Sequence, residues 1–415
     1  MTVSMRAPES NSSLRTVSTF RSWQRNTTEL GLLPVIAVAG GRGKSTVVRM
    51  LDAIFRRAHL RTATWTNLGV EIRGRHQRGE LGGWSLALSR LAESSIDVAI
   101  QELDWSTINA VGLPRESYPF VALTNLHGSL EAPLRLHHTS TAFRSAQRIA
   151  SAVHREGILL VNGDDPALVE ATSSVQATIA MSSFAVESPM LREHLRDGGS
   201  GIWQSDATIR IGDDVESREL CSIGTLPVCI DGDAPFQVAN VMTAASTAFA
   251  VGVDTSTIVA ALSEFATTPD ILPGSFNVFR NDDFRTIIDV ASPSWFLRPL
   301  LRVVNPLNAR RLITVIGNLQ HLPESDIQEV GRLLGRHHGA IVVHSNSPSP
   351  ELAMFRKGIA ANAYPPPIIH LPTERRALNR ALKTARPKDE LLILVHGDAG
   401  PSIRAVNRHL EQEPE

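Results

Sequence analysis

Lysine is almost absent from this sequence. The 415-residue chain has 41 basic residues, of which only four are lysines, and Lys44 is the only lysine before Lys357. Cysteine is equally scarce, with Cys221 and Cys229 as the only two. Neither lies in a Cys/His ligand pattern, which argues against a zinc site or a disulfide framework. Two free thiols in a reducing cytoplasm are expected instead.

Long apolar runs and an excess of one charge are also missing. No stretch reaches the roughly 18 uninterrupted apolar residues of a membrane-spanning helix. The formal net charge of -1 provides no global field for nucleic acid or an anionic membrane, so neither is expected as a partner. The first 30 residues are rich in Ser, Thr and Arg and lack the apolar core of a secretory signal. They are predicted to be a flexible tail with one short helix near TFRSWQRNTTEL.

Apolar strands and amphipathic helices alternate along the rest of the chain. The apolar segment LLPVIAVAG precedes the helical pattern KSTVVRMLDAIFRRAHL, and buried strands are predicted at DVAIQEL, FVALTNL and GILLVNG. The polar region 186–217 predicts short antiparallel strands, and strand–helix alternation restarts at RTIIDVA. The pattern therefore predicts an α/β protein with a parallel-sheet domain over 31–283, after the tail 1–30, and a smaller Rossmann-like α/β domain over 284–415.

The junction between the first predicted strand and helix has the sequence GGRGKS, from Gly40 to Ser45. Glycines let backbone N–H groups turn inward, and the helix N-terminus adds partial positive charge, so this junction is predicted to bind phosphate. Lys44 would reach the β/γ-phosphates of ATP, and the Ser45 hydroxyl would ligate Mg²⁺. The first glycine of the full Walker pattern falls on Val38, so the loop is a variant, and a glycine-rich turn with an incidental lysine is the alternative. The nucleotide-binding residues predicted here are Gly40, Gly41, Gly43, Lys44, Ser45 and Thr46.

Motifs after this loop follow one another as in the Mur ligase superfamily, which the chain resembles over residues 33–400. The GGRGKS loop stands where those ligases carry GTNGK[ST], and its arginine is similar to the poly-γ-glutamate synthase branch. The segments ESDIQEVGRLLGR and ARPKDELLILVHG look most like the C-terminal half of cyanophycin synthetases. The motifs between them that resemble the family are IQELDWS, LTNLHGSLEAP, VNGDDP, FQVANVMTAAS, LPGSFNVF and IIDVASPS.

The resemblance implies an ATP- and Mg²⁺-dependent ligase that activates a carboxylate as an acyl phosphate, which an amine then attacks to form an amide or peptide bond. It implies that Lys44 acts in catalysis and that Ser45 and Glu102 hold the metal, with Glu102 also serving catalysis. Arg42 stands where family ligases carry Asn and is predicted to help offset phosphate charge. The alternative for Glu102 is a strand-end carboxylate paired with an arginine.

Further contacts to the nucleotide are implied for Asn125, Asn240 and, from the second domain, Asp289. Asp164 and Asp165 match the family's N-x-D-D-P motif, although Asn-Gly-Asp-Asp-Pro is also good turn chemistry by itself. The substrate implied is a small molecule or peptide with a carboxylate and an amine. No substrate domain is recognisable before the loop, which leaves room for a partner protein that supplies one and for an oligomer.

Several positions depart from the family pattern. The family's Asp-His pair falls on Ser129 and Leu130, and its carbamylated lysine falls at about 146–147. The arginine of P-G-R is Ser275, and Ser292 stands within DVASPS, where the family carries D-Y-A-H-N-P. Losing one charge-stabilising donor lowers a rate by about 10²–10³. The nearby groups considered as replacements are His127, His137, His138, Arg42, Arg135 and Arg144.

Two hypotheses of different class therefore remain. The first is an ATP-dependent ligase with a remodelled second metal site. The second is a catalytically degenerate ATP-binding relative with a scaffold or regulatory role. A generic P-loop NTPase is a third alternative, which the ordered downstream motifs disfavour. The basic segment 69–84 could meet an acidic peptide, with a solvated loop as its alternative.

Overall fold

Contacts divide the chain into two compact units, Met1–Phe265 and Ala266–Glu415. The division falls earlier than the predicted boundary between residues 283 and 284. Residues after the division join the second unit because Asn277–Arg280 forms a strand of its sheet, and Asn277 Nδ2 donates to Thr267 O at 2.7 Å. The computed structural model describes residues 19–126, 136–183, 188–280, 284–305 and 310–412.

The first unit is built on one eleven-stranded sheet. Its strands are β1 (Val35–Gly40), β2 (Thr62–Thr66), β3 (Gly69–Ile72), β4 (Arg75–His76), β5 (Val98–Asp104), β6 (Tyr118–Leu123), β7 (Val153–Asn162), β8 (Thr178–Ser183), β9 (Ser200–Ser205), β10 (Thr208–Asp213) and β11 (Ser217–Ser222). Its helices are α1 (Phe20–Glu29), α2 (Lys44–Arg57), α3 (Glu80–Ala92), α4 (Trp105–Val111), α5 (Leu136–Ser151), α6 (Pro166–Thr172), α7 (Pro189–Arg196), α8 (Pro235–Ala250) and α9 (Thr255–Glu264).

The strand order of this sheet is β11-β10-β9-β8-β7-β6-β1-β5-β2-β3-β4. The strands from β9 to β2 pair in parallel, and antiparallel strands flank them on both sides. Every residue of β1 and β6 is buried, as their continuous apolar sequences predicted. Because β1 lies between β5 and β6, the carboxyl ends of these three strands meet at one edge, where α/β sheets bind ligands.

A helix occupies part of the segment predicted as a tail. The Thr19 hydroxyl caps α1 by accepting from the backbone N–H of Ser22. The Phe20 ring packs 5.8 Å from the Phe55 ring of α2 and 5.5 Å from Trp23. The predicted short helix is therefore present, and its two buried aromatic side chains attach it to the first unit.

The second unit is a six-stranded sheet with the order β12-β13-β17-β14-β15-β16, parallel except for the β12–β13 pair. Its strands and helices follow the alternation predicted from the sequence, and the predicted α/β class is confirmed for both units. Its elements are β12 (Asn277–Arg280), β13 (Arg285–Val290), α10 (Ser294–Val304), β14 (Leu312–Gly317), α11 (Glu324–Leu334), β15 (Gly339–His344), α12 (Pro350–Ala360), β16 (Ile368–Leu371), α13 (Glu374–Thr384), β17 (Glu390–Val395) and α14 (Gly400–Gln412).

The structure bears on the predictions about the cysteines and about membrane-spanning helices. Cys221 and Cys229 are free and buried, as predicted, and burial raises the pKa of their thiols to about 11 and about 12. Within the described ranges, no helix combines the length and apolar character needed to cross a bilayer.

Candidate functional site

The GGRGKS loop connects the carboxyl end of β1 to the first residue of α2. Gly43 is the N-cap of α2 and has a φ of 86°, in the left-handed region that favours glycine. The loop also packs closely on its surroundings: a Cβ added at Gly40 would overlap Thr124 Oγ1, and one at Gly43 would overlap Asn240 Oδ1. Gly43 is therefore required both by backbone conformation and by space, and Gly40 is required by space. The loop leaves the helix N-terminus facing the carboxyl edge of the sheet.

The end of β6 holds the loop through its backbone. Asn125 Nδ2 donates to Arg42 O at 2.9 Å, and Asn125 Oδ1 accepts from Arg42 N at 3.1 Å. The Thr124 hydroxyl donates to the same carbonyl at 2.9 Å, and Gly41 N donates to Asn125 O at 2.9 Å. The structure shows that the side-chain amide of Asn125 fixes the loop, and the nucleotide contact predicted for Asn125 stays a prediction.

Lys44 lies between two carboxylates from β5. Its Nζ atom is 2.8 Å from Asp104 Oδ1 and 3.7 Å from Glu102 Oε1. The side chains of Lys44 and Glu102 are each only 8% exposed, whereas that of Asp104 is 52% exposed. The lysine predicted from the loop sequence thus has one buried and one solvent-facing counter-ion.

Ser45 completes this cluster through its hydroxyl. Ser45 Oγ donates to Glu102 Oε2 at 2.7 Å, and the backbone N–H of Asn67 donates to the same oxygen at 3.3 Å. Burial raises the pKa of Glu102, and the Lys44 ammonium and the Ser45 hydrogen bond oppose that effect. Among the described residues, the partners of Glu102 are these groups rather than an arginine, contrary to the alternative drawn from the sequence.

The donor set at Ser45 and Glu102 fits Mg²⁺. A hydroxyl and a carboxylate oxygen lie within hydrogen-bond distance of each other beside the helix N-terminus. Mg²⁺ prefers hard oxygen ligands and is usually held by one or two protein groups together with phosphate oxygens. The described residues contain no ready-made group of three or more His, Cys, Asp or Glu side chains arranged to hold a metal ion.

The remaining residues predicted to bind nucleotide lie in different surroundings. Thr46 is buried in the first turn of α2. Asn240, on α8, faces Gly43 and donates through Nδ2 to Gln237 Oε1 at 3.0 Å. Asp289 belongs to the second unit, where it is buried and accepts from the backbone N–H groups of Phe276 and Val290.

The VNGDDP motif supports the strand end that holds the loop. Asp165 Oδ2 accepts from Leu126 N at 2.7 Å, and its Oδ1 atom accepts from Leu168 N at the start of α6. Asn162 Nδ2 donates to Thr124 O at 2.9 Å. These contacts support the turn-forming alternative for the motif.

The positions that depart from the family motifs make local contacts where they are described. Ser292 is buried and donates to Val290 O at 2.9 Å, and Ala146 is fully buried in α5. Arg144 is exposed on the same helix. The residues that fall outside the described part of the chain are His127, Ser129, Leu130 and Arg135, together with the side chains of His137 and His138.

Two members of the cluster were not predicted. Asp104 is two residues after Glu102, so both side chains project from the same face of β5 at its carboxyl end. The two-residue spacing along the strand is the sequence signal that points to Asp104. Asn67 follows β2, and nothing in its own sequence distinguishes it; it is brought to Ser45 and Glu102 because β2 pairs with β5.

A family model of the Mur ligase middle domain matches residues 38–248, just over half of the chain. The chain belongs to the Mur ligase family. The matched segment includes the whole loop, the ends of β5 and β6 and the Asn240 face of α8. The family resemblance inferred from the motifs is thereby confirmed.

Two relatives indicate which Mur ligases the chain is similar to. A cyanophycin synthetase from Geminocystis herdmanii is 25% identical over 394 residues, covering 92% of this chain and 44% of that protein. A UDP-N-acetylmuramoyl-L-alanyl-D-glutamate--2,6-diaminopimelate ligase from Geobacillus kaustophilus is 22% identical over 383 residues, covering 88% of this chain and 74% of the relative. The chain thus spans less than half the length of the cyanophycin synthetase.

Solved structures share the fold across both units. E. coli FolC in complex with DHPP and ADP superposes with a TM-score of 0.64 at 16% identity, over 97% of this chain and 95% of that one. The UDP-N-acetylmuramoylalanyl-D-glutamyl-2,6-diaminopimelate--D-alanyl-D-alanyl ligase from Acinetobacter baumannii gives a TM-score of 0.60 at 17% identity, over 95% and 78% of the two chains. At these identities the comparison establishes the fold alone.

Proposed function

We propose that this Mur ligase family member is an ATP-dependent carboxylate–amine ligase that works through an acyl phosphate. The observation that supports this most directly is the convergence of Lys44, Ser45 and Glu102 beside the N-terminus of α2. A cation, a hydroxyl and a buried carboxylate at the carboxyl edge of a parallel sheet suit a nucleotide triphosphate with its metal ion.

The chemical difficulty of this reaction is the repulsion between a carboxylate substrate and the γ-phosphate. Lys44 supplies a fixed cation, and the backbone N–H groups at the start of α2 orient the phosphates. Arg42 is proposed as a second cation of the loop, in place of the asparagine of other family members. Ser45 and Glu102 would hold Mg²⁺, which when bound neutralises charge on the β/γ-oxygens.

Asn240 would contribute by its position above Gly43, where its amide is close to the loop backbone. Asn125 would act indirectly, since its amide fixes the backbone of Arg42. The substrate proposed is a small molecule or peptide that offers a carboxylate and an amine. The proposal allows a separate protein that presents the substrate.

The second candidate is a nucleotide-binding relative that has lost catalysis and acts as a scaffold or regulator. Its support is that Ser275 and Ser292 stand where family motifs place an arginine and a histidine, and that Ser292 is buried against Val290 O. Both candidates need the nucleotide, and only the first needs ADP release.

The test measures binding and turnover separately. Wild type, Lys44→Ala and the control Lys357→Ala, an exposed lysine on α12, are titrated with ATP and MgCl2 by calorimetry. ADP release is then followed with pooled amino acids and acidic peptides. The ligase proposal expects substrate-dependent ADP release by wild type and Lys357→Ala only. Binding lost in Lys44→Ala without ADP release by any protein favours the second candidate, and no binding by wild type contradicts both.

A further inference from the structure

We propose that Asp104 competes with nucleotide phosphate for Lys44, and that a divalent cation at Ser45 and Glu102 relieves the competition. Asp104 would thereby make polyphosphate binding depend on the accompanying metal. This inference rests on the proposed function, because it concerns how the same site accepts its nucleotide.

The first observation is that the two carboxylates around Lys44 differ in distance and in exposure. The nearer one, Asp104 at 2.8 Å, is half-exposed, and the farther one, Glu102 at 3.7 Å, is buried. Glu102 is also held by the Ser45 hydroxyl and the Asn67 N–H. Glu102 is therefore a fixed member of the site, whereas the Asp104 carboxylate can turn toward solvent when another anion reaches Lys44.

The second observation is that Asp104 occupies the N-cap position of α4 without capping it. Its backbone is extended at that position, and its side chain makes no capping hydrogen bond. An aspartate at an N-cap normally accepts from the backbone N–H groups of the first turn and stabilises the helix. Here the carboxylate reaches Lys44 instead, so its place is explained by the lysine and not by α4.

The carboxylates of Asp104 and Glu102 repel a phosphate that approaches Lys44. A polyphosphate entering beside Lys44 must displace the Asp104 carboxylate and remain close to Glu102, so two negative side chains oppose it. A divalent cation bound by Ser45 and Glu102 places positive charge between those carboxylates and the phosphates. Removal of the Asp104 charge should therefore help binding strongly when the metal is withheld and weakly when it is supplied.

The experiment compares Asp104→Asn with wild type and with the control Asp206→Asn. Asp206 lies in the exposed turn between β9 and β10, four strands from β1 in the sheet, and the control removes the same charge. ATP and ADP are titrated by calorimetry with excess MgCl2 or with EDTA. We expect Asp104→Asn to raise affinity about tenfold in EDTA and less than about twofold with Mg²⁺. Unfolding midpoints of the three proteins verify that each is folded.

A second readout does not depend on nucleotide. Lys44 is the only lysine before Lys357, so its acylation by an amine-reactive reagent can be followed by mass spectrometry, with Lys357, Lys383 and Lys388 as internal references. An ammonium in an ion pair must leave its partner before it reacts. Labelling of Lys44 should therefore be about three- to fivefold faster in Asp104→Asn, with the three reference lysines unchanged.

The outcomes separate this inference from the proposed function. Wild-type binding of ATP with no change in Asp104→Asn, or with an equal change in EDTA and Mg²⁺, overturns the competition and leaves the proposed function standing. Failure of both proteins to bind ATP overturns the proposed function and the competition together, even where the faster labelling of Lys44 confirms the ion pair.

Discussion

The side-chain amide of Asn125 bonds to both polar groups of the Arg42 backbone, donating to its carbonyl at 2.9 Å and accepting from its N–H at 3.1 Å. An asparagine at the end of β6 thus fixes a loop that begins at the end of β1. The two strands are neighbours and parallel, which brings the residues together although they are 83 positions apart in the chain.

Replacing Asn125 should destabilise the GGRGKS loop without changing the overall fold. Asn125→Ala removes both hydrogen bonds between the Asn125 amide and the partly buried Arg42 backbone, and we expect a loss of about 1–3 kcal/mol in the free energy of unfolding. Asn125→Asp should be at least as destabilising, because it turns a carboxylate oxygen toward the Arg42 carbonyl. Urea unfolding measures both, with the exposed Asn109→Ala of α4 as the control. Wild-type stability in Asn125→Ala would contradict this role.

A substitution at Gly43 tests whether its close approach to Asn240 requires a glycine at the start of α2. Gly43→Ala introduces left-handed strain of about 1–2 kcal/mol and also an overlap with Asn240 Oδ1. Gly31 has a φ of 72° with nothing within 4 Å of an added Cβ, so Gly31→Ala isolates the strain. We expect Gly43→Ala to lose more stability than Gly31→Ala, and ATP binding to fall only in the former.

The double variant Gly43→Ala with Asn240→Ala checks the cause. If the overlap with the Asn240 amide produces the extra loss, removing that amide should recover part of it, which a double-mutant cycle measures as a coupling energy. Additive effects of the two substitutions would mean that the loop loses stability for another reason.

The parts of the fold and site that could be predicted are those with a strong local signal. β1 and β6 are continuous apolar segments of the length expected for strands that are buried on both faces. Gly43 and Lys44 lie at a predicted strand–helix junction, where a glycine followed by a lysine is typical of phosphate binding. These inferences needed only residue types and spacing. Glu102 is assigned to the site through the family resemblance, and its place near the end of a buried strand agrees with that assignment.

What could not be predicted depends on pairing. The segment that forms β3 and β4 is predicted as a basic loop because GVEIRGRH contains few apolar residues. In the structure, β3 is stabilised by pairing with β2, and β4 by pairing with β3. The Lys44–Asp104 ion pair requires that β5 be the neighbour of β1, although β2, β3 and β4 intervene in the chain. Which strands become neighbours is determined by the assembled sheet. The sequence of a short segment therefore does not predict its partner strand.

Glu102→Gln should separate stability from function. The substitution removes a buried carboxylate whose pKa burial raises, and Lys44 keeps Asp104 as a counter-ion. We expect the free energy of unfolding at neutral pH to stay within about 1 kcal/mol of wild type or to increase. Mg²⁺-dependent ATP affinity should fall at least about tenfold, because the proposed metal ligand is lost. The exposed Glu116→Gln is the control, and retained Mg²⁺-dependent affinity in Glu102→Gln would exclude this residue as a ligand.

Asp97 should make the first unit sensitive to acid. Its side chain is only 3% exposed and accepts from Arg61 Nε at 2.9 Å and from Arg21 Nη1 at 2.7 Å. Burial alone would raise its pKa, but the hydrogen bonds from both arginines hold that pKa well below its usual range. A carboxyl with a lowered pKa in the folded state stabilises the protein above its unfolded pKa of about 4, and that stability is lost progressively as the pH falls below about 5.

Asp97→Asn removes this contribution at neutral pH. We expect a loss of about 1–3 kcal/mol at pH 7 and a shallower decline of stability between pH 5 and pH 3 than in wild type, measured by urea unfolding across that range. Asp206→Asn, which removes an exposed carboxylate, should leave both the value at pH 7 and the slope nearly unchanged. Because Arg21 lies on α1, the substitution should also weaken the attachment of that helix, detectable as faster exchange of its amide protons. If the stability of Asp97→Asn declines between pH 5 and pH 3 as steeply as that of wild type, other carboxylates determine the acid sensitivity of the first unit.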